Sequence, residues 1–128
     1  MTRTHTLALV TTLALSGCCS FAPCHPGTYI AGVVTDARTG APVQGASVRL
    51  YHYEAAAKVN GCFALGGPDA LPFEFAVSAP GYDPVAVKAV PGSFQANVRL
   101  APSGSGSTTP RLDKITRERY AELRKSCP

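Results

Sequence analysis

Apolar and polar residues alternate with a period of two through most of the middle of this chain. The pattern is cleanest at 73–79, where Phe73, Phe75, Val77 and Ala79 take one face and Glu74 and Ser78 the other. It recurs at 94–100, setting Phe94, Ala96, Val98 and Leu100 against Gln95, Asn97 and Arg99. A period of two is the repeat of a strand with one buried face. Shorter runs at 29–35, 46–53, 62–65 and 85–90 read the same way. In the run at 46–53, Ala46, Val48 and Leu50 face one side and Ser47, Arg49 and Tyr51 the other, with His52 in register with Leu50. Turn residues punctuate the strands at Thr39-Gly40, Asn60-Gly61, Gly66-Gly67-Pro68 and Pro80-Gly81-Tyr82. Short strands at roughly 8–12-residue spacing, separated by such turns, are the mark of two packed sheets. The fold class is therefore all-β: a small two-sheet antiparallel sandwich of six or seven strands over residues 28–101.

The periodicity changes towards the C-terminus. Residues 102–110, with Ser103-Gly104-Ser105-Gly106-Ser107, have the composition of a flexible linker. Beyond them Leu112, Ile115, Tyr120 and Leu123 fall on one side of a helical wheel over 111–127, with Arg111, Lys114, Arg117 and Arg124 mostly elsewhere. This C-terminal amphipathic helix is near the ~12–15-residue limit below which isolated helices are marginal. It must dock, on its own sandwich by default, otherwise on a partner or a membrane surface.

The first seventeen residues read as a signal peptide. Arg3 carries a positive charge near the start, and Leu7 to Leu15 form an apolar run too short for a membrane span of roughly 20 residues. Leu15-Ser16-Gly17-Cys18 resembles a bacterial lipobox, which implies cleavage after Gly17, lipidation at Cys18 with acyl chains such as palmitate, and a lipid-anchored tether over 18–27. The other reading is an ordinary secretory signal with a chance cysteine. The residue after Cys18 is Cys19 rather than Asp, so the usual inner-membrane retention signal is missing and an outer membrane lipoprotein, on its periplasmic or surface face, is expected.

Composition narrows the function. The chain of 128 residues is 45% hydrophobic and only 16% charged, with 12 Gly, 11 Pro and no Trp, which suits short strands and many turns. Residues 19–109 carry five basic and five acidic side chains, whereas the segment from Pro110 onward carries six basic and three acidic. The excess positive charge thus sits in the tail, and no broad basic face of the kind that binds nucleic acid is present. An exported compartment permits disulfides. With Cys18 acylated, Cys19, Cys24, Cys62 and Cys127 remain; one bridge is expected among Cys24, Cys62 and Cys127. Cys62 with Cys127 is preferred because it would pin the C-terminal helix, with Cys24 the alternative. His25 and His52 lie far from any metal-ligand spacing, so neither metal nor cofactor is expected.

The stretch 32–50 runs from a strand into Asp36, the Thr39-Gly40 turn, Pro42-Val43 and Gly45-Ala46 opening a second strand. Asp36 can bond its own backbone, Gly40 can take a positive φ, and Pro42 pre-sets φ. The order of these parts, with Gly61 and Phe63 and later Gly81-Tyr82, resembles the carboxypeptidase regulatory-like domain, a β-sandwich of transthyretin-like (prealbumin-like) topology. The resemblance implies a non-catalytic module. Ala57-Lys58 stands where that family usually has Thr-Asp. Transthyretin-like hydrolases of 5-hydroxyisourate use clustered His and Arg and a C-terminal Tyr-Arg-Gly-Ser, whereas this chain ends Lys125-Ser126-Cys127-Pro128. No His-x-x-Glu zinc motif accompanies the module, and Val33 and Val34 stand where isopeptide-forming sandwiches place a reactive lysine.

No catalytic residues are identified. Tyr51, His52 and Tyr53 are the candidate binding patch, an aromatic sugar or peptide site set against the plainer reading of a strand end emerging into solvent. Asp36 as a calcium ligand is weak, since an Asx-turn explains it. The expected function is a non-enzymatic, lipid-anchored envelope protein whose sandwich binds or scaffolds. Its expected partners are the membrane through the N-terminal lipid and another envelope protein, a peptide or a saccharide. The alternative is an envelope hydrolase or enzyme accessory subunit.

Overall fold

The run read at 29–35 extends by one residue at each end into β1 (Thr28–Asp36), the strand around which one sheet is built. Thr28, Ile30, Val34 and Asp36 are buried on its inner face, and Ala31 is fully buried on its outer face. The structure, a computed structural model, describes residues 27–68 and 72–127. The later strands are β2 (Ser47–Leu50), β3 (Tyr53–Ala56), β4 (Cys62–Gly67), β5 (Phe73–Ser78), β6 (Val85–Ala89), β7 (Gly92–Leu100) and β8 (Asp113–Lys114), followed by α1 (Arg117–Ser126).

Two four-stranded sheets face each other, ordered β4-β1-β7-β8 and β3-β2-β5-β6. The inner faces carry the alternating residues. Phe94, Ala96, Val98 and Leu100 of β7 are buried, as are Phe75 and Val77 of β5 and Val48 and Leu50 of β2. Phe63 from one sheet meets Phe75 from the other at 5.9 Å between ring centroids. Each such Val, Leu or Phe side chain, fully removed from water, contributes about 1.5–3 kcal/mol.

Four features differ from the sequence expectation. The sandwich is not wholly antiparallel: β1 pairs in parallel with β7 along nine residues, Thr28 opposite Gly92 through Asp36 opposite Leu100. Alternation has the same period in both kinds of pair, so it carries no sign of direction; a parallel pair needs only a crossover, here made by β2 to β6. The run at 46–53 is two strands, because the chain reverses at Tyr51-His52 and Leu50 pairs with Tyr53. With β8 this brings the count among the described residues to eight rather than six or seven.

The third difference is the segment 102–110. The Asp83 carboxylate accepts from Gly104 N–H at 2.9 Å and Gly106 N–H at 2.8 Å, and Ser107 Oγ accepts from Ala101 N–H. Ser and Gly here supply backbone donors to a distant acid, which composition alone does not reveal. Those donors hold the Asp83 carboxyl below the usual carboxylate range, Gly104 N–H first. Finally, 111–127 is not one helix. Asp113 and Lys114 pair with Gln95 and Phe94, and the helix starts only after Thr116, whose side chain accepts from Arg119 N–H at 3.0 Å. Glu118 in its first turn and Arg124 and Lys125 in its last suit the helix dipole.

Asp36 ties the two sheets together at one end. Its Oδ1 accepts from Arg38 N–H at 2.7 Å and Thr39 N–H at 3.2 Å, the anticipated Asx-turn, closed by Gly40 at φ +74°. Its Oδ2 accepts from the Tyr82 hydroxyl at 2.7 Å, reaching across to the loop between β5 and β6. The Arg38 guanidinium lies 3.9 Å from Oδ1 as well. Tyr82, then Arg38 N–H, holds the Asp36 carboxyl below its ordinary value, and the Asp36 carboxylate raises the Tyr82 hydroxyl above its own.

A depressed carboxyl contributes stability that is present above its unfolded value, near 3.8, and is lost as pH falls through the folded one. Tyr82→Phe is therefore expected to lower the thermal midpoint near neutrality, with the gap to wild type closing on acidification below about pH 4. Calorimetric melts across that range check this; a gap unchanged by acid would refute the latch.

Candidate functional site

Tyr51 occupies the first central position of the two-residue turn between β2 and β3 with φ 55°, where glycine is usual. A left-handed backbone is uncommon for a bulky residue and costs on the order of 1–3 kcal/mol. The ring that this backbone projects is 56% exposed. It stacks on Phe73 at 4.2 Å with planes 8° apart, and His52 approaches it edge-on at 4.5 Å. Arg49, Glu74 and Ala76, outward-facing residues of β2 and β5, line a depression of about 340 Å³ with these two rings.

The three candidates Tyr51, His52 and Tyr53 thus separate. Tyr51 and His52 are exposed at the turn, while Tyr53, 4.3 Å from His52, is half-buried and packs on the core. A Cβ at Gly67 would strike the Tyr53 ring, so that glycine leaves room for it. His52 is an exposed turn residue and not part of a strand continuing through 46–53 in register with Leu50. Phe73, Arg49 and Glu74 are the members that sequence reasoning missed. Phe73 was read as core, and only the turn brings Tyr51 over it.

On the opposite side of the molecule α1 packs against β1, β7 and β4. Leu112, Ile115, Tyr120 and Leu123, the predicted apolar side, are half-buried, as is Cys127, although the first two precede the helix. Tyr120 lies 5.3 Å from Tyr29, and burial pushes its hydroxyl above its ordinary value. Cys62 and Cys127 are joined by a disulfide, with Cα atoms 5.7 Å apart and a sequence separation of 65. Cys18, Cys19 and Cys24 lie outside the described residues. Among the described residues no three His, Cys, Asp or Glu side chains gather into a metal site, and no helix is long and apolar enough to cross a membrane.

Residues 29–108 match the carboxypeptidase regulatory-like domain family. Among solved structures that match is a protein of unknown function from Bacteroides fragilis NCTC 9343, proposed to be membrane-associated, with 29% identity and a TM-score of 0.46. The match covers 66% of this chain and 31% of that one, so the chain spans about a third of its length. No curated protein matches.

The disulfide closes a loop of 65 residues, and none of α1 is fully buried, so the helix is expected to depend on this bond for its place. Replacing both partners (Cys62→Ser with Cys127→Ser) is expected to cost about 4 kcal/mol in urea unfolding by the chain-entropy relation. It should also release α1, a helix too short to persist alone. Hydrogen exchange then shows unprotected amides in 117–126 over a protected sandwich; continued protection of the helix would refute this.

Proposed function

The chain belongs to the carboxypeptidase regulatory-like domain family, and on that footing we propose that it is an exported, lipid-anchored cell-envelope protein whose sandwich is a non-catalytic saccharide-binding module. The observation that carries the binding role is the Tyr51 shelf. Strained backbone at an exposed aromatic is a cost the fold does not need, since glycine would make the same turn without it. The exposed ring, backed by Phe73, offers a flat apolar face, with the Arg49 guanidinium and the Glu74 carboxylate beside it. A pyranose ring has the matching chemistry, one face of C–H groups and an edge of hydroxyls that donate and accept.

The envelope assignment rests on the N-terminal sequence. Small residues at Ser16 and Gly17 suit a peptidase, and the Cys18 thiol is the group able to form a thioether. Cys19 in place of Asp favours delivery to the outer membrane. The short run from Cys18 to Gly27 then holds the domain near the bilayer.

Two measurements test this reading. Radioactive palmitate is expected to label the wild-type chain and not Cys18→Ala; equal labelling would remove the anchor. The protein is expected to bind immobilised peptidoglycan or starch, with affinity falling about tenfold or more in Tyr51→Gly. That variant keeps the turn, because glycine takes a positive φ freely, and removes only the ring. Binding of extended peptides in place of glycans would redirect the module to peptides, and release of sugar or peptide fragments would make it a hydrolase.

A further inference from the structure

α1 turns three cationic side chains towards one groove. Arg117, Arg124 and Lys125 border it on the helix, with Tyr120, and Tyr29 and Ser93 border it on the outer face of the sheet, enclosing about 450 Å³. An adjoining cavity of about 280 Å³ shares Tyr29, Ser93 and Arg117 and adds Gly27 and Lys114. Neighbouring cations are engaged: Arg111 pairs with Asp113 at 2.7 Å and Arg119 with Glu122 at 3.0 Å. Among the described residues Lys114, Arg117, Arg124 and Lys125 form no ion pair, although the tail as a whole carries twice as many basic as acidic groups. The sandwich it rests on is neutral, so this face holds the charge of the domain.

We propose that this groove docks the phosphate of an anionic phospholipid headgroup and so lays the α1 face of the domain on the membrane. The choice of partner rests on the lipid anchor proposed above. The anchored segment enters the fold at Gly27, which itself lines the second cavity beside Lys114 and Arg117. From Cys18 to Gly27 the chain spans at most about 32 Å even when fully extended. The free cations therefore sit where the tether meets the domain, within its reach of the bilayer. A tether alone allows every orientation; attraction between unpaired cations and anionic headgroups, acting over a Debye length of about 8–10 Å, selects one. Tyr29 and Tyr120 add amphipathic rings of the type that settle at headgroup level. The Tyr51 shelf lies on the other sheet, so docking through α1 turns it away from the membrane.

The test uses the processed chain from residue 18 with Cys18→Ser, which cannot be acylated, so the groove is read without the anchor. It is expected to cosediment with phosphatidylcholine vesicles containing about one-third phosphatidylglycerol and not with phosphatidylcholine alone, and to detach as salt is raised. Each basic residue near an anionic surface is worth about fivefold in partitioning, so Arg117→Ala, Arg124→Ala and Lys125→Ala together should lower it about 100-fold. Arg111→Ala with Arg119→Ala, which removes paired cations, should lower it less than about tenfold. Thermal melts check that both variants fold; if the triple variant does not, the exposed Arg124→Glu alone should weaken binding about tenfold or more. Absence of vesicle binding, equal binding to both lipids, or equal losses in the two variants would overturn the proposal. Inorganic phosphate that binds through these residues while vesicles do not would assign the groove to a soluble anion and also overturn it. Vesicle binding by this chain, together with failure of palmitate to label the wild-type protein, would sink the anchor and leave the groove standing.

Discussion

The nine-residue parallel ladder between β1 and β7 is the constraint on which the remaining architecture depends. β1 takes its other partner, β4, antiparallel, so it is hydrogen-bonded along both edges. Gly32 lies opposite Ala96 in that ladder, and a Cβ there would strike the Ala96 carbonyl. Close approach at this point lets the two strands run together from Thr28 to Asp36 without a bulge. Because a parallel partner cannot be reached by a hairpin, the chain must leave β1, build the whole second sheet, and return. The facing of the two sheets, and hence the burial of Phe63 against Phe75, follows from that route.

Two pins then close the ends of the sandwich by different chemistry. At one end a single carboxylate, Asp36, satisfies two backbone donors of its own turn and the hydroxyl of Tyr82 from the other sheet's loop. Towards the opposite face a covalent bond from β4 to Cys127 holds a helix whose apolar contacts are only partial. The family signature therefore encodes a latch: the Asp36–Gly40 turn and Tyr82, 46 residues from Asp36 in sequence, meet as one hydrogen-bonded unit. The surfaces with functional promise lie outside that unit, in the Tyr51 turn and along α1.

Local periodicity was enough to read the core. Phe75, Val77, Phe94, Ala96, Val98 and Leu100 sit on the faces that alternation assigned them, because a half-buried strand leaves a direct record in its side chains. What alternation could not carry was direction and connectivity. The parallel β1–β7 pair reads identically to an antiparallel one. The Tyr51-His52 reversal has no glycine or asparagine to announce it, and its strain is a property of the folded backbone. Likewise the Ser-Gly segment after Leu100 owes its order to Asp83, some twenty residues earlier, a partner that composition cannot name. The aromatic triplet was legible as a candidate, but its true geometry needed Phe73, which the strand pattern had assigned to the interior.

The position of β1 has a mechanical consequence. A pull applied to Thr28 along the strand axis would load the β4 and β7 ladders in shear, so many hydrogen bonds resist together and not one after another as in the unzipping of a hairpin. β4 and β7 both lie within the covalent loop from Cys62 to Cys127, which cannot lengthen while the disulfide stands. Force entering at the N-terminal end of the sandwich thus meets a strand clamped on both sides by a closed ring of chain. A load at that end is therefore shared by two ladders and one covalent ring before any strand can leave the sheet.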